Sequence, residues 1–271
     1  MTDDLLGQSF ERLLQEHCTP AHVRDIENGG PADALWTAIE QSGFLDALIP
    51  EEKGGAGLAL RDVFPLAVLC GRYAVPVPVA ETILARAIYV AASQEVPVGP
   101  VTNWDQVPFE TVDIRRSTGA AIAAALLVGA MERAFEITVA FANDRTQFGR
   151  PIGKFQAVQQ QISVMAEQTF AAKMAAEMGF ASDDWLPDPL LAAVAKARSS
   201  EAAVLVSANA HAVHGAIGAT EEYDLQLFTR RIHAGRTAFG AESYWNRIIG
   251  EAVLASGPEG VLDNIRYKLS A

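Results

Sequence analysis

"NDRTQFGRPIGKFQAVQQ", residues 143–160, decides the fold. Upstream of it, residues 117–143 are alanine-rich and show almost no polar face before Glu132, Arg133 and Glu136. A helix of that length reaches roughly 40 Å, and one that is apolar nearly all round belongs inside a bundle. Downstream, residues 155–178 resume helical periodicity. The quoted stretch is thus the break between two long helices, and it has two readings. In one it is a helix corner, with Phe148 as a packing plug, Gly149 as the helix cap and Pro151 as a stop. In the other, a helix end presents the Arg145 guanidinium and the Phe148 ring together, a pairing suited to a ligand with phosphates and a flat base.

Working outward, residues 1–94 read as a domain of short helices. Thr19-Pro20 is a cap followed by proline at the first helical position, and Gly29-Gly30-Pro31 closes that element. "PEEKGGAGL" (50–58) is a loop before an apolar helix from Leu60 to Tyr73, and "PVPVAET" (76–82) breaks the chain again before a helix from Ile83 to Ala92. Residues 95–116 form a linker; its Pro97, Pro100 and Pro108, with several β-branched residues, give it the chain's only strand character, enough for a fragment of sheet at most. Residues 117–271 form a bundle: the two long helices, a turn at 182–189, helices at 189–213 and 236–255, and a closing helix after Pro258. The class is all-α, in two helical lobes joined by a Pro-rich strap.

Composition narrows the functions. The 271 residues are 50% apolar and 20% charged, as in globular proteins, and the formal charge of −12 argues against nucleic acid or anionic membrane as a partner. Cys18 and Cys70 form neither a disulfide framework nor a zinc pattern. The acidic start "MTDDLLGQSF" lacks a signal peptide's basic region, and no apolar run of membrane-spanning length is free of polar interruption. A soluble, cytoplasmic protein is expected, and the apolar helix at 117–143 favours an oligomer, hetero- or homomeric.

Other segments carry residues with potential for chemistry. In "HAVHGAIGATEEYDLQLFTRR" (211–231), Gly215 and Gly218 lie where a long helix breaks, and backbone amides freed there face an anion or simply form a turn. Glu221 and Glu222 are placed to start the next helix. His211 and His214 are three apart on a helix, but no carboxylate or cysteine nearby completes a metal set, so no metal is expected. "GGAGL" at 54–58 has no preceding strand and is no dinucleotide fingerprint. There is no G-x-S-x-G, and neither cysteine has a histidine in a catalytic setting.

Taken in order, "IPEEKGGAGLALRDVFPLAVLCGR", "RTQFGRPIGKFQAVQ" and "HGAIGATEEYDLQLFTRR" resemble the acyl-CoA dehydrogenase family over most of the chain. The resemblance implies an N-terminal helical domain and a C-terminal long-helix bundle. It implies FAD shared across a subunit interface, the Arg-x-x-Phe-Gly turn reaching the pyrophosphate and adenosine of a cofactor held mainly by a neighbour. The matching residues here are Arg145, Gln147 and Phe148, with Gly215 and Gly218 at the glycine-rich break.

The departures are as informative. The family's β domain is reduced to the strap. Ala212 stands where the family has glutamine, and Ala216 replaces one glycine of its pair. The catalytic glutamate, which takes the α-proton of the thioester, is missing from both of its usual places: one is Phe239-Gly240 here, the other surrounds Gly119 and Ala120. A phenylalanine accepts no proton, so no catalytic residue is assigned to this chain; Glu242, three residues on, is a poor substitute. Arg115 and Arg116 are all that stands near the family's substrate-gripping Asp and Arg. Some bacterial members, including steroid-side-chain enzymes, pair two unlike subunits. The resemblance therefore implies the shortened subunit of an acyl-CoA dehydrogenase whose partner is a full-length subunit. The alternatives are a flavin-free helical interaction or acyl-binding protein, and a self-sufficient homo-oligomer with an unusual base.

Overall fold

A computed structural model describes residues 2–255. The closing helix expected after Pro258 lies outside the described residues. The N-terminal lobe contains α1 (Thr2–His17), α2 (Pro20–Glu27), α3 (Asp33–Gln41), α4 (Leu60–Arg72) and α5 (Val79–Ala91). Thr19 caps α2 as its sequence requires, its hydroxyl accepting from the His22 amide at 3.3 Å. The bundle contains α6 (Val112–Asp144), α7 (Gln156–Gly179), α8 (Pro189–His214), α9 (Leu225–Thr237) and α10 (Glu242–Ala255).

Helix α6 is the axis of the molecule. It packs against α4 from the first lobe and against α7, α8 and α9 in the bundle. Two glycines set the α4–α6 crossing: a Cβ at Gly71 would strike the Leu126 carbonyl, and one at Gly129 the Val68 carbonyl. The apolar surface of α6 is thus covered by this chain's own helices, so its composition alone carries no argument for an oligomer. Helix α8 with the turn after it (189–219), though interrupted by polar residues such as Ser207 and Asn209, is long and apolar enough to cross a membrane by length and composition. Here it lies among α6, α7, α9 and α10.

The two lobes share one hydrophobic core, running from Phe10 and Leu14 through Leu66 and Leu127 to Phe228 and Ile232. Ion pairs stitch its rim: Arg24 to Asp224, and Arg230 and Arg231 to Glu27.

The strap is not a strand. Residues 95–111 pair with no neighbour in a sheet and contain a 3₁₀ turn at Trp104–Gln106. Its prolines remove ladder donors, and its apolar residues go instead onto α5, where Val101 and Val107 pack with Ala85 and Ile88. The Val101 amide donates to Thr82 Oγ1 at 3.1 Å and the Trp104 indole to the Arg115 carbonyl at 3.2 Å. Helix α6 starts five residues before the expected Ser117, because Thr111 caps it by accepting from the Ile114 amide at 3.2 Å. The single helix expected at 236–255 is two, broken at Ala238–Ala241. Glu221 and Glu222 fall in the turn before α9 rather than in its first turn.

Candidate functional site

The break between α6 and α7 is a β-hairpin, and this corrects the corner with a helix-capping Gly149. Strands β1 (Thr146–Gln147) and β2 (Arg150–Pro151) pair antiparallel, Thr146 opposite Pro151 and Gln147 opposite Arg150. The Ile152 amide donates to the Arg145 carbonyl at 2.8 Å and closes the base. Phe148 and Gly149 form the two-residue turn with φ of 49° and 79°. Positive φ at both central residues matches the twist of a hairpin. Glycine adopts it freely, whereas phenylalanine is held there at a cost.

What that strain displays is a ring in solvent. Phe148 is 92% exposed, and among the described residues its ring pairs edge-on with Phe155, 6.1 Å between centroids. Arg150 lies over the other ring of that pair, 4.3 Å from the Phe155 centroid. Arg145 and Gln147 are exposed as well, and among the described residues the Arg145 guanidinium has no side-chain partner.

The glycine-rich break lies at the same end of the bundle. Ala142 of α6, Ile152 after the hairpin and Val213 of α8 share a small core that joins hairpin to break. Gly215 ends α8 with φ 64° and ψ −144°, a conformation essentially restricted to glycine. Gly218 is buried in the 3₁₀ turn Gly215–Ala219, where a Cβ would press on His214 Cβ and the Leu225 side chain. Beneath the break, His214 stacks on Phe141 at 4.3 Å and lies 5.2 Å from Tyr223. Its Nδ1 bonds the Ala210 carbonyl at 2.8 Å, Nε2 is buried without a partner, and burial lowers its pKa. The sequence singled out His214 only as a potential metal ligand. Among the described residues no three His, Cys, Asp or Glu side chains converge as a metal set.

The Phe239 loop lies at the far end of α6 from the hairpin. Phe239 has φ 57°, and its ring lies where a Cβ on Gly119 would be, 6.2 Å from Trp104 of the strap. Gly119 and Phe239, where the resemblance leads one to look for a carboxylate, thus meet in space, and a phenyl ring fills the junction. Glu242 is held by the Arg236 guanidinium, which keeps its carboxyl below the usual range. Under this loop is a residue that sequence reasoning missed. Lys196 is fully buried and donates to Ser200 Oγ (2.7 Å) and to the carbonyls of Arg236 (2.7 Å) and Gly240 (3.1 Å). Its signal was a lysine that closes the apolar run of residues 189–195 at the start of α8. From Gly119 to Arg145 the helix runs roughly 40 Å, so this chain's hairpin and its Phe239 loop are separate places.

A helical N-terminal lobe, a long-helix bundle and an arginine–aromatic hairpin beside a glycine break define a class of two-lobed α proteins. Comparison with known proteins identifies the class more closely. The family model described as Acyl-CoA dehydrogenase, N-terminal domain, matches residues 2–96, and Acyl-CoA dehydrogenase, C-terminal domain, matches residues 117–254. The chain belongs to the acyl-CoA dehydrogenase family. It is 28% identical to "Acyl-CoA dehydrogenase IpdE2" of Mycolicibacterium smegmatis, over 88% of this chain and 94% of that protein. Two solved structures share the fold over 94% of this chain and 98% of theirs. One is the "ChsE4-ChsE5 complex from Mycobacterium tuberculosis" (TM-score 0.80, 18% identity), the other a "Tcur3481-Tcur3483 steroid ACAD" variant (TM-score 0.79, 20% identity).

Members of this family bind FAD, and the hairpin end has a donor set that fits it. The uncommitted Arg145 guanidinium suits a diphosphate and the exposed Phe148 ring is free to lie against a flat base, whereas the Gly215 amide is spent on the His211 carbonyl. The side chains present would therefore hold the cofactor and orient it, while the flavin supplies the oxidising chemistry when bound.

Proposed function

We propose that this chain is the shortened subunit of a heteromeric FAD-dependent acyl-CoA dehydrogenase, which desaturates acyl-CoA thioesters between the α and β carbons. Arg145, Gln147 and Phe148, with Gly215 and Gly218, complete an FAD site in a full-length partner subunit, and the partner provides the base. The observation that carries this reading is the division of labour along α6. An exposed, uncommitted arginine–aromatic hairpin stands at one end, and a base position filled by Phe239 stands at the other. The cofactor arm therefore serves a site other than the chain's own Phe239 end. The likeness in fold to two-chain assemblies supports a partner, and the steroid description of one of them supports a bulky acyl group as substrate.

The test is native mass spectrometry of the chain expressed alone and together with a full-length acyl-CoA dehydrogenase encoded beside it. A mixed assembly that retains FAD only when both chains are present is expected. A chain that purifies alone with stoichiometric flavin and oxidises acyl-CoA would overturn the assignment. A second reading, a flavin-free interaction protein, is favoured by Ala212 and Ala216 at the break. Ala212→Gln separates the two: it raises flavin retention in the co-expressed complex under the first and changes nothing under the second.

A further inference from the structure

The α1–α2 corner closes a cavity of about 210 Å³ against the end of α4, the side of α6 and the first turn of α9. Its floor is apolar, made by Val23, Leu227 and Phe228. Among the described residues the only charged side chains that line it are two arginines, Arg72 and Arg133. The Cys18 thiol and the Tyr73 phenol share the wall, and burial pushes the thiol up to about 12 and raises the phenol too. Both stay neutral at pH 7 and bring no negative charge.

The two arginines are not equally occupied. Glu136 stands 2.7 Å from Arg72, with Glu132 at 3.7 Å and Glu11 at 4.0 Å. Arg133 meets Glu136 through Nη1 alone, at 3.3 Å, and among the described residues its Nη2 and Nε have no partner. None of these three carboxylates lines the cavity. The wall thus sets positive charge and spare donors above an apolar floor. A guanidinium meets a carboxylate in two parallel hydrogen bonds, which makes a carboxylate the fitting head group. The space is somewhat larger than the roughly 150 Å³ that accommodates benzene in an apolar protein cavity. It admits one ring or short branched chain with its carboxylate, and nothing longer.

We propose that this cavity is a binding site for a small monocarboxylate with a compact apolar body, Arg133 and Arg72 holding the carboxylate and Val23, Leu227 and Phe228 the body. Arg133 takes the larger share, because Arg72 is already paired. The site shares no residue with the hairpin or the Phe239 loop, and binding there needs neither FAD nor a partner subunit.

The probes are benzoate and benzamide, near-isosteres that differ in charge, each titrated at pH 7 into the full chain by ligand-observed NMR. The chain's net charge of −12 works against an anion at large, so a preference for benzoate reports local cations. Benzoate is expected to bind wild type roughly five- to tenfold more tightly, the margin of charge-assisted over neutral hydrogen bonds. In wild type carrying ¹³C at its valine methyls, the Val23 signals, assigned through Val23→Ile, should shift as benzoate is added. Arg133→Gln should abolish the preference and Arg133→Lys should keep part of it, with thermal unfolding to check that each variant is folded. Equal binding of the two probes to wild type overturns the proposal, as does binding of neither. A preference that survives in Arg133→Gln overturns it too, and so do Val23 signals that stay in place. The wild-type titrations and the Val23 signals decide even if a variant fails to fold.

Discussion

Gly119 and Phe239 are read together, because neither makes sense alone. A glycine inside α6 costs helix stability of about 1 kcal/mol relative to alanine, and a phenylalanine at φ 57° is held against its backbone preference. The ring of one occupies the missing side chain of the other. Gly119→Ala is therefore expected to destabilise the chain by ~1–3 kcal/mol despite the gain in helix propensity. Gly119→Ala combined with Phe239→Leu should recover part of that loss, giving a coupling energy above about 0.5 kcal/mol in a urea-denaturation double-mutant cycle. Additive effects would separate the residues. Lys196 below them titrates at about 8, pulled down from 10.5 chiefly by burial. The unfolded chain keeps this proton up to its ordinary pKa, so between pH 8 and 10.5 it binds more protons than the folded one. Stability from this group therefore rises with pH across that window, by on the order of 3 kcal/mol at most. The difference in unfolding free energy between wild type and Lys196→Gln should shift toward wild type from pH 7 to pH 10. A difference that stays constant would mean that the lysine keeps its ordinary pKa when folded.

At the scale of elements, the hairpin spends stability on display. Phe148 stands in the left-handed region and buries almost nothing, so Phe148→Asn, which tolerates that conformation, should stabilise the isolated chain by ~0.5–1 kcal/mol. The same change should lower flavin retention in the co-expressed complex. A substitution that destabilises the chain would show that the ring contributes packing after all. This turn also marks where the sequence stopped being legible. The long helices followed from apolar periodicity, and Thr111 was a cap in plain view five residues before the expected start of α6. Phe-Gly, however, is not among the dipeptides that announce a two-residue hairpin, and Arg145-Thr146 continues a helical composition. The strap's β-branched residues pointed to strand because the surface that would claim them, on α5, belongs to another element. Arg145, Gln147, Phe148, Gly215 and Gly218 fall at one end of the bundle, which was legible from motif order. Lys196 was not, because a charge in a largely apolar helix looks the same in sequence whether it meets water or a carbonyl.

For the whole molecule, the shared core makes the N-terminal lobe and the bundle one folding unit. The apolar side chains of α4 meet α6 across backbone contacts close enough to require Gly71 and Gly129, and such a surface has no solvated alternative. Arg231 ties the rim of this junction through Glu27 and the Ala74 carbonyl, and it is mostly buried. Removing it by Arg231→Met leaves the Ala74 carbonyl without its donor and Glu27 with Arg230 alone, a loss of about 1–3 kcal/mol. Because the lobes unfold together, that loss should appear equally in both. Fluorotryptophan labels resolve this: Trp36 reports the first lobe from α3, and Trp245 reports the bundle from α10. Both ¹⁹F signals are expected to share one urea midpoint in wild type and to move together in Arg231→Met. If Trp36 unfolds first while Trp245 stays native, the bundle holds its structure alone, and the hairpin keeps its fold without the N-terminal lobe.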